Sequence, residues 1–448
     1  MPRDLGVTAA SGLVAGSVVG TGIFTMPAVI AMAGTVGIVV VAAAGLGSML
    51  LAVLFGQLST RLVDSDGGLY AYARHEFGDL AGYFVGWSYW VSAWAGNAGI
   101  VASWVFYVDA LLGLTSPSVW INWGIVLVGL WVPAIVNLVG VRLMSWFQTI
   151  TVILKFVPLL FFALAGWFFI DTERLMPFNA SGGSIYRAVG LAAGVALFSF
   201  IGVEAAAVTS KRVRDPARNV GRASVIGVAA CALLYVMVTA AVMGLVPHDV
   251  LVRSGSPFVD ATAAIFPGHA WAGSVIAAVA VVSGIGALNG WTLIVTEASR
   301  PMAEDGLFPR PFAWNDRHGN AWFGIVVAAA LPSLLMLWRF TSSTGLTVFT
   351  YLVGLSAVTV AIPYLVSALA QLVYVVSHRR RVDGWRFGRD CAISVACVAF
   401  SSWMTVAAGY QILSQALAVV VFGLVGWAVS KTGSTRPRAQ EPRRGHRP

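Results

Sequence analysis

Twelve apolar stretches constrain this chain, each near the ~20 residues that a helix needs to cross ~30 Å of hydrocarbon. Of the 448 residues 58% are hydrophobic and 10% are charged, which excludes a water-soluble globular domain. A backbone in hydrocarbon has to pair its own N–H and C=O groups, and single stretches of this length do so as helices. The predicted spans are 7 to 33, 35 to 59, 80 to 112, 119 to 138, 143 to 170, 186 to 208, 222 to 246, 271 to 298, 321 to 338, 345 to 376, 391 to 409 and 411 to 429. The sequence therefore predicts an all-α polytopic membrane protein with twelve transmembrane helices.

The basic residues predict the orientation of these helices. On this map, 23 of the 28 Lys and Arg residues fall on the side of the two termini, four fall on the opposite side and Lys155 lies inside a span. Cytoplasmic loops collect Lys and Arg, so we expect a cell-membrane protein with both termini in the cytoplasm. The same asymmetry accounts for the net charge of +9, and no nucleic-acid partner is inferred. The Pro- and Arg-rich tail 431–448 is predicted to be disordered and cytoplasmic.

Residues that hold metals or cofactors are few and scattered. The three cysteines, Cys231, Cys391 and Cys397, lie within predicted spans, and all six histidines fall in loops or in the tail. The pattern predicts no disulfide framework and no metal site. No cofactor and no enzymatic activity are expected of this chain. A histidine proton relay across the membrane is excluded by these positions.

Two apolar stretches are interrupted by short breaks, at residues 20–22 in GSVVGTGIFTMP and at residues 199–202 in ALFSFIGVEAA. Unwound backbone at membrane depth is tolerated where it lines a cavity, and paired breaks point to a substrate site. Amide groups that follow the first break suit a carboxylate. The half-helix ends are expected to leave carbonyl oxygens unpaired near Val18, Phe198 and Ile201, and these would accept hydrogen bonds from an ammonium. An amino acid receptor is predicted, and glycines that merely allow close helix packing are the alternative.

Six motifs carry a resemblance to a known family. They are GSVVGTGIFTMPA, GGLYAYARHEFG at 67 to 78, WVSAWAGN at 90 to 97, SFIGVEAA at 199 to 206, NGWTLI at 289 to 294 and EDGLFP at 304 to 309. Together they resemble the amino acid, polyamine and organocation (APC) superfamily, and within it the basic amino acid/polyamine antiporters of the arginine/agmatine exchanger type. The resemblance implies a LeuT-type fold in a transporter domain 1–430, with inverted repeats at about 7–170 and 186–376. Two extra helices would occupy 391–429.

The resemblance also implies a substrate site. Backbone N–H groups of Thr21 and Gly22 would hold the carboxylate, and Trp291 would stack on the substrate side chain. Asn97 and Ser356 match positions that hydrogen-bond a guanidinium or amine at the far end of the pocket. Such a pocket suits a cation without a counter-carboxylate, because a desolvated cation over an aromatic face gains on the order of 2 kcal/mol. Ordinary core packing is the alternative for Trp291.

The chain departs from the family pattern at the site. Phe198 replaces a gating tryptophan, which keeps a π face and loses the indole donor. Ser92 and Ala93 stand where the arginine exchanger has other small residues. Three further residues match a gate on the extracellular side: Tyr89, Glu204 and Tyr364.

Two ionisable residues lie deep in spans, where each costs ~2.5 to 3.5 kcal/mol unless it is paired or hydrated. Glu204 is predicted to be the proton-titrating group. In several APC relatives a lysine at the position of Lys155 takes the place of a sodium ion, which implies sodium-independent coupling and also favours neutral amino acid carriers. Snorkelling toward the interface is the alternative for Lys155.

Two cytoplasmic segments are singled out, one after the second span and one between the eighth and ninth spans. GGLYAYARHEFG is interpreted as an amphipathic in-plane or re-entrant helix, with a plain loop as the alternative. Glu304 and Asp305 are predicted to pair with cytoplasmic arginines as a latch of the closed state, although surface ion pairs contribute little.

These features predict a secondary active transporter that exchanges a cationic amino acid for its amine by alternating access, without sodium. A proton-coupled or exchanging carrier of small neutral amino acids is the alternative. A channel or receptor is disfavoured because the breaks define an enclosed site rather than a selectivity ring. The expected partners are the substrate and the lipid bilayer, and a homodimer is compatible with the sequence.

Overall fold

The computed structural model describes residues 6–20, 22–61, 68–139, 141–205, 213–316, 319–340, 345–379 and 383–432. Helices and their connections make up this part of the chain, and no β-strand occurs in it. The helices are α1 (Val7–Val18), α2 (Gly22–Ala33), α3 (Val36–Ser59), α4 (Leu69–Phe77), α5 (Asp79–Leu112), α6 (Val119–Val139), α7 (Val141–Leu164), α8 (Ile185–Phe198), α9 (Pro216–Leu245), α10 (His248–Leu251), α11 (Pro257–Ile265), α12 (Ala270–Glu304), α13 (Trp322–Phe340), α14 (Gly345–Ser377), α15 (Gly384–Ala407) and α16 (Tyr410–Thr432).

Eight of these helices are long and apolar enough to cross a membrane: α3, α5, α6, α9, α12, α14, α15 and α16. The pair α1 and α2 passes the same test together, as one span bent by 57°. Shorter apolar helices lie within α7, α8 and α13, where the fifth, sixth and ninth spans are predicted. The prediction of an all-helical, multi-pass membrane protein is confirmed.

The helices differ in how deeply they are buried. Most of the apolar window of α5 and of α14 is buried within the protein, whereas α15 and α16 expose most of theirs. Since lipid-facing and buried side chains are both apolar, small residues rather than polarity mark the close contacts. At one such contact, a Cβ added to Gly56 of α3 would lie 2.5 Å from the Cα of Gly221 of α9. The two backbones therefore touch at this crossing.

The two broken helices lie in the middle of the bundle. The half-helix α2 packs on α8, α1 packs on α9, and α5 packs on both α12 and α14. The short helix α4 occupies the GGLYAYARHEFG segment and packs against α5 and α14. A helix rather than a plain loop is therefore present there.

The structure changes three expected boundaries. The first predicted span is two helices, and the sixth ends as a helix at Phe198, after which residues 199–204 form turns. Helix α16 continues to Thr432. It therefore includes the first two residues of the tail 431–448 that is predicted to be disordered. The rest of that tail, residues 433–448, lies outside the described residues.

Candidate functional site

The first break separates α1 from α2. Helix α1 ends at Val18, Val19 is extended, and α2 begins at Gly22. The first amides of a helix have no earlier carbonyl to bond and carry the positive end of the helix dipole. Thr21, predicted to contribute one of these amides, lies outside the described residues. The start of α2 therefore suits an anion such as a carboxylate.

The second break packs against the first. Gly202, in the turn that follows α8, has a φ of +108°, a conformation that favours glycine. A Cβ added to it would lie 3.0 Å from both the carbonyl carbon and the carbonyl oxygen of Ser17. Glycine is thus required at position 202 for two reasons, its backbone conformation and its close approach to Ser17. The second break therefore packs directly on the end of α1.

One small cavity lies between the two breaks. It is lined by Val18, Gly20, Gly22, Ile23, Ile100, Phe198, Ser199, Ile201, Tyr235 and Trp291. The volume that a water molecule can reach is about 10 Å³, which is room for about one water. This lining includes five of the predicted substrate residues: Val18, Gly22, Phe198, Ile201 and Trp291. No carboxylate is among the residues that line it.

The ring of Phe198 fills much of this region. A Cβ added to Gly22 would lie 2.9 Å from its Cε1 atom, and one added to Gly96 would lie 3.3 Å from its Cε2 atom. These atoms belong to opposite edges of the ring, so the ring is held between the start of α2 and the middle of α5. The ring therefore occupies space between these two helices beside the cavity.

The carbonyl oxygens at the breaks already have hydrogen-bond partners. The Val18 oxygen accepts from the Gly20 N–H at 2.9 Å and from the Tyr235 hydroxyl at 3.0 Å. The Phe198 oxygen accepts from the Ile201 N–H at 3.1 Å. The expectation of unpaired carbonyls at these two positions is therefore wrong. The reason is that a buried carbonyl without a donor costs several kcal/mol in a membrane interior, so neighbouring donors fill it.

Lys155 bonds the first broken helix. Its side chain is buried, and its ammonium donates to the carbonyl oxygen of Gly16 at 2.7 Å and to that of Val19. The positive charge thus lies at the negative end of the α1 dipole. Because the ammonium bonds two backbone carbonyls at the end of α1 and the Lys155 side chain is 3% exposed, snorkelling does not describe this side chain. The bridge between the first and fifth spans is present, while its role in coupling stays a prediction.

The polar residues expected at the far end of the substrate pocket bond to one another or to no described residue, rather than facing the cavity. The Ser92 hydroxyl donates to the Ser356 carbonyl at 3.0 Å, and the Ser356 hydroxyl donates to the Ser92 carbonyl at 2.8 Å. These reciprocal bonds join α5 to α14, and neither serine lines the cavity. Asn97 is fully buried, and among the described residues neither its amide nitrogen nor its amide oxygen has a partner. Of the three, Asn97 alone has a side chain without any hydrogen bond among the described residues, and it too lies outside the cavity lining.

The three predicted gate residues lie together. Tyr89 donates to one carboxylate oxygen of Glu204 and Tyr364 donates to the other, both at 2.7 Å. The Gly202 N–H donates to the second oxygen at 3.2 Å. Glu204 is 1% exposed, so three donors satisfy a buried carboxylate next to the second break.

The gate lies toward the side of the protein on which the N-terminus lies. The α1–α2 pair crosses once and α3 returns, so α5 begins on the N-terminal side, and Tyr89 lies near that end. Arg61, just after α3, stacks on Tyr374 near the end of α14 at 3.6 Å. Tyr364 lies between Ser356 and this end. The predicted cytoplasmic N-terminus and the predicted extracellular gate therefore exclude one another, because the gate residues and the N-terminus lie on one side of the helix bundle.

A polar cluster joins α4 to the end of α12. Arg74 forms an ion pair with Asp305, and the Tyr70 hydroxyl donates to the same carboxylate at 2.8 Å. Burial, followed by this hydrogen bond, raises the pKa of Tyr70. Glu304 instead pairs with Arg300 of its own helix at 2.8 Å. Both carboxylates therefore pair with an arginine as predicted, but only Asp305 pairs with another helix, because one helical turn brings Glu304 back to Arg300. The latch role stays a prediction.

Sequence reasoning missed Tyr235, the one residue of α9 that lines the cavity. Its side chain is fully buried, and its ring packs on Phe200 of the second break with centroids 5.3 Å apart. The available signal was a phenol in the middle of an aliphatic span, where a buried hydroxyl needs a partner.

Comparison with known proteins gives the family. The profile of the amino acid permease family matches residues 5–435. The chain is 29% identical over 443 residues to an arginine/ornithine antiporter of Pseudomonas aeruginosa, covering 96% of this chain and 91% of that protein. It is 30% identical over 373 residues to the putrescine transporter PotE of Escherichia coli, covering 83% and 84%. A cadaverine/lysine antiporter of Escherichia coli is 28% identical over 373 residues, with coverage of 82% and 83%. The chain therefore belongs to the amino acid permease family of the APC superfamily, and it is a membrane transporter rather than an enzyme.

Proposed function

We propose that the chain exchanges a cationic amino acid for its amine, or for another amino acid, by alternating access. The observation that carries this proposal is the cavity between two helix breaks, which Trp291 and Phe198 line together. The start of α2 offers amides for a carboxylate, and the aromatic faces offer an environment for a cation. The names of the relatives, which are antiporters and transporters of arginine, ornithine, lysine and diamines, favour such substrates.

Recognition of the cation does not require a carboxylate. A desolvated cation over an aromatic ring gains on the order of 2 kcal/mol, and the buried amide of Asn97 adds an unused acceptor and donor. The proposal assigns the carboxylate to the amides of Thr21 and Gly22, and the terminal donors to Asn97. Ser92 and Ser356 become ligands only if their reciprocal bonds open.

Transport is proposed to be independent of sodium. The ammonium of Lys155 bonds two carbonyl groups beside the first break, and backbone carbonyls at such breaks are the groups that coordinate sodium in coupled carriers. A fixed cation at this place makes a mobile one unnecessary. Glu204, with Tyr89 and Tyr364, is the proposed gate and proton-titrating group.

A twelve-span LeuT-type architecture with cytoplasmic termini is part of the proposal. Inverted repeats place corresponding helices about a pseudo-two-fold axis in the membrane plane. Four corresponding pairs pack on one another: α2 with α8, α3 with α9, α5 with α12, and α6 with α13. Repeats at 7–170 and 186–376, with the last two helices outside them, account for this pattern.

Exchange or proton-coupled transport of small neutral amino acids is the second candidate. Two observations favour it: the cavity is narrow, with the Phe198 ring across it, and no carboxylate is among the described residues that line it. A small side chain would need less displacement of this ring than an arginine side chain.

A competition panel distinguishes the two candidates. Counterflow of radiolabelled arginine into proteoliposomes is measured with arginine, lysine, ornithine, agmatine, putrescine, alanine or serine as competitor. We expect inhibition by the cationic compounds and none by alanine or serine. Strong inhibition by alanine, with none by the diamines, would favour the neutral carrier.

The Asn97→Ala variant adds a test of the far end of the site. We expect it to weaken competitors with a terminal amine or guanidinium more than it weakens alanine-sized competitors. The matched control is Asn122→Ala, since Asn122 also has a buried amide oxygen without a partner among the described residues but belongs to α6. Equal selectivity in both variants would make Asn97 a structural residue.

A further inference from the structure

Tyr235 links the cavity to both helix breaks. Its hydroxyl lies 3.0 Å from the Val18 carbonyl oxygen at the end of α1, and its ring packs on Phe200. The side chain is fully buried and lines the same cavity as Gly22 and Trp291. It belongs to α9, which supplies no other residue to this lining.

We propose that the hydroxyl oxygen of Tyr235 binds the primary ammonium group of the substrate, an inference that rests on the proposed function. A phenol has one proton to donate and oxygen lone pairs to accept with. The proton is engaged with Val18. Among the described residues no donor bonds to the Tyr235 oxygen, so its lone pairs are available to a ligand in the cavity that it lines.

The bonding of Val18 favours Tyr235 over the carbonyl itself. A carbonyl oxygen has two lone pairs, and those of Val18 are occupied by the Gly20 N–H and by the Tyr235 hydroxyl. The local Gly20 contact closes the turn at the end of α1. An ammonium therefore meets the phenol oxygen, which becomes a better acceptor because its own proton is donated onward.

The arrangement fits both partners of an exchange. An α-amino acid would place its carboxylate on the amides at the start of α2 and its ammonium on Tyr235, because Gly22 and Tyr235 line one cavity. An amine without the carboxylate would keep the ammonium contact alone. Tyr235 is thus the ligand that the two kinds of substrate share.

Tyr235→Phe tests the assignment, since it removes one oxygen and keeps the ring against Phe200. Inhibition constants are measured for arginine, for agmatine and for 5-guanidinopentanoic acid, which is arginine without its α-amino group. A hydrogen bond to a charged group predicts a loss of about tenfold for the first two compounds. The third compound should bind the variant and the unmodified chain equally.

Tyr83→Phe is the control. The buried Tyr83 hydroxyl also donates to a carbonyl, that of Gly423 at 2.7 Å, and it lies away from the cavity.

Each outcome decides the assignment. Unchanged constants for arginine and agmatine in Tyr235→Phe overturn it, and so does an equal loss for all three compounds, which a purely structural hydroxyl would give. If Tyr235→Phe does not fold, 3,5-difluorotyrosine at this position keeps the oxygen and weakens it as an acceptor. Lower affinity for arginine then supports the assignment, and unchanged affinity overturns it. Failure of the unmodified chain to bind arginine, agmatine or any amine overturns the proposed function and the assignment together.

Discussion

The ammonium nitrogen of Lys155 lies 2.7 Å from the carbonyl oxygen of Gly16, in the last turn before the first helix breaks. A second bond reaches Val19, beyond the end of α1. One side chain of α7 therefore holds two carbonyl groups on either side of the helix end. Any movement of α1 relative to α7 has to break or carry this contact, which places Lys155 where coupling can act.

Transport is expected to be unaffected when choline or potassium replaces sodium, because the Lys155 ammonium already donates hydrogen bonds to the carbonyl groups beside the first break. Lys155→Ala should remove most transport, since it leaves buried acceptors without a donor at a cost of about 1–3 kcal/mol. Uptake of radiolabelled arginine into proteoliposomes measures both effects.

Arg174→Ala is the control for Lys155→Ala. Arg174 also donates to a backbone carbonyl at a helix end, that of Leu245 in α9, but it lies outside the substrate region. Loss of transport by the unmodified chain without sodium would show that Lys155 does not replace a sodium ion.

Glu204→Gln should flatten the pH dependence of transport, because it removes the titratable group that holds Tyr89 and Tyr364. The amide keeps one oxygen as an acceptor, so folded yield should be retained. Initial uptake rates at a series of pH values measure the effect, with Tyr364→Phe as a variant that loses one bond and keeps the carboxyl. A pH profile identical to that of the unmodified chain would place proton coupling elsewhere.

Trp291→Leu should abolish most uptake of arginine, lysine and ornithine, whereas Trp291→Phe and Trp291→Tyr should keep part of it. The Phe and Tyr variants share a retained π face. The interaction of a desolvated cation with such a face is worth on the order of 2 kcal/mol. Trp271→Leu is the control on the same helix, since Trp271 is 64% exposed. Equal activity of the Leu and Tyr variants of Trp291 would make it ordinary core.

Asp305→Asn should open the N-terminal side of the protein more often, because it weakens the contacts of Asp305 with Arg74 and Tyr70. The measurement is the labelling rate of Ser88→Cys by an impermeant thiol reagent, in a chain whose three native cysteines are replaced by serine. We expect a few-fold faster labelling, since exposed ion pairs contribute up to about 1 kcal/mol. Glu304→Gln is the control, and equal rates in the two variants would show that the Asp305 contact is no latch.

The parts of the site that sequence could predict are those with a local signal. The breaks were readable because glycines interrupt apolar runs, and Lys155 and Glu204 because a buried charge is rare at that depth. Their neighbours in space, Gly16 and Tyr89, follow once the helices are placed.

What sequence could not predict depends on how helices meet. The reciprocal bonds of Ser92 with Ser356 need the register of α5 against α14, which no local pattern encodes. Tyr235 gave no interruption and no charge, so its place in the cavity followed only from the packing of α9 on α1. That the Glu204 gate and the N-terminus share one side of the bundle follows from the direction of the helices.

Trans-stimulation tests the proposed exchange most directly. Uptake of radiolabelled arginine is measured, without sodium, into proteoliposomes that contain agmatine, ornithine, alanine or no amino compound. Exchange through one alternating site predicts rapid uptake with internal agmatine or ornithine and little uptake into vesicles that contain alanine or no compound. Equal uptake into empty and agmatine-loaded vesicles, or stimulation by alanine alone, would contradict the exchange of cationic amino acids and amines.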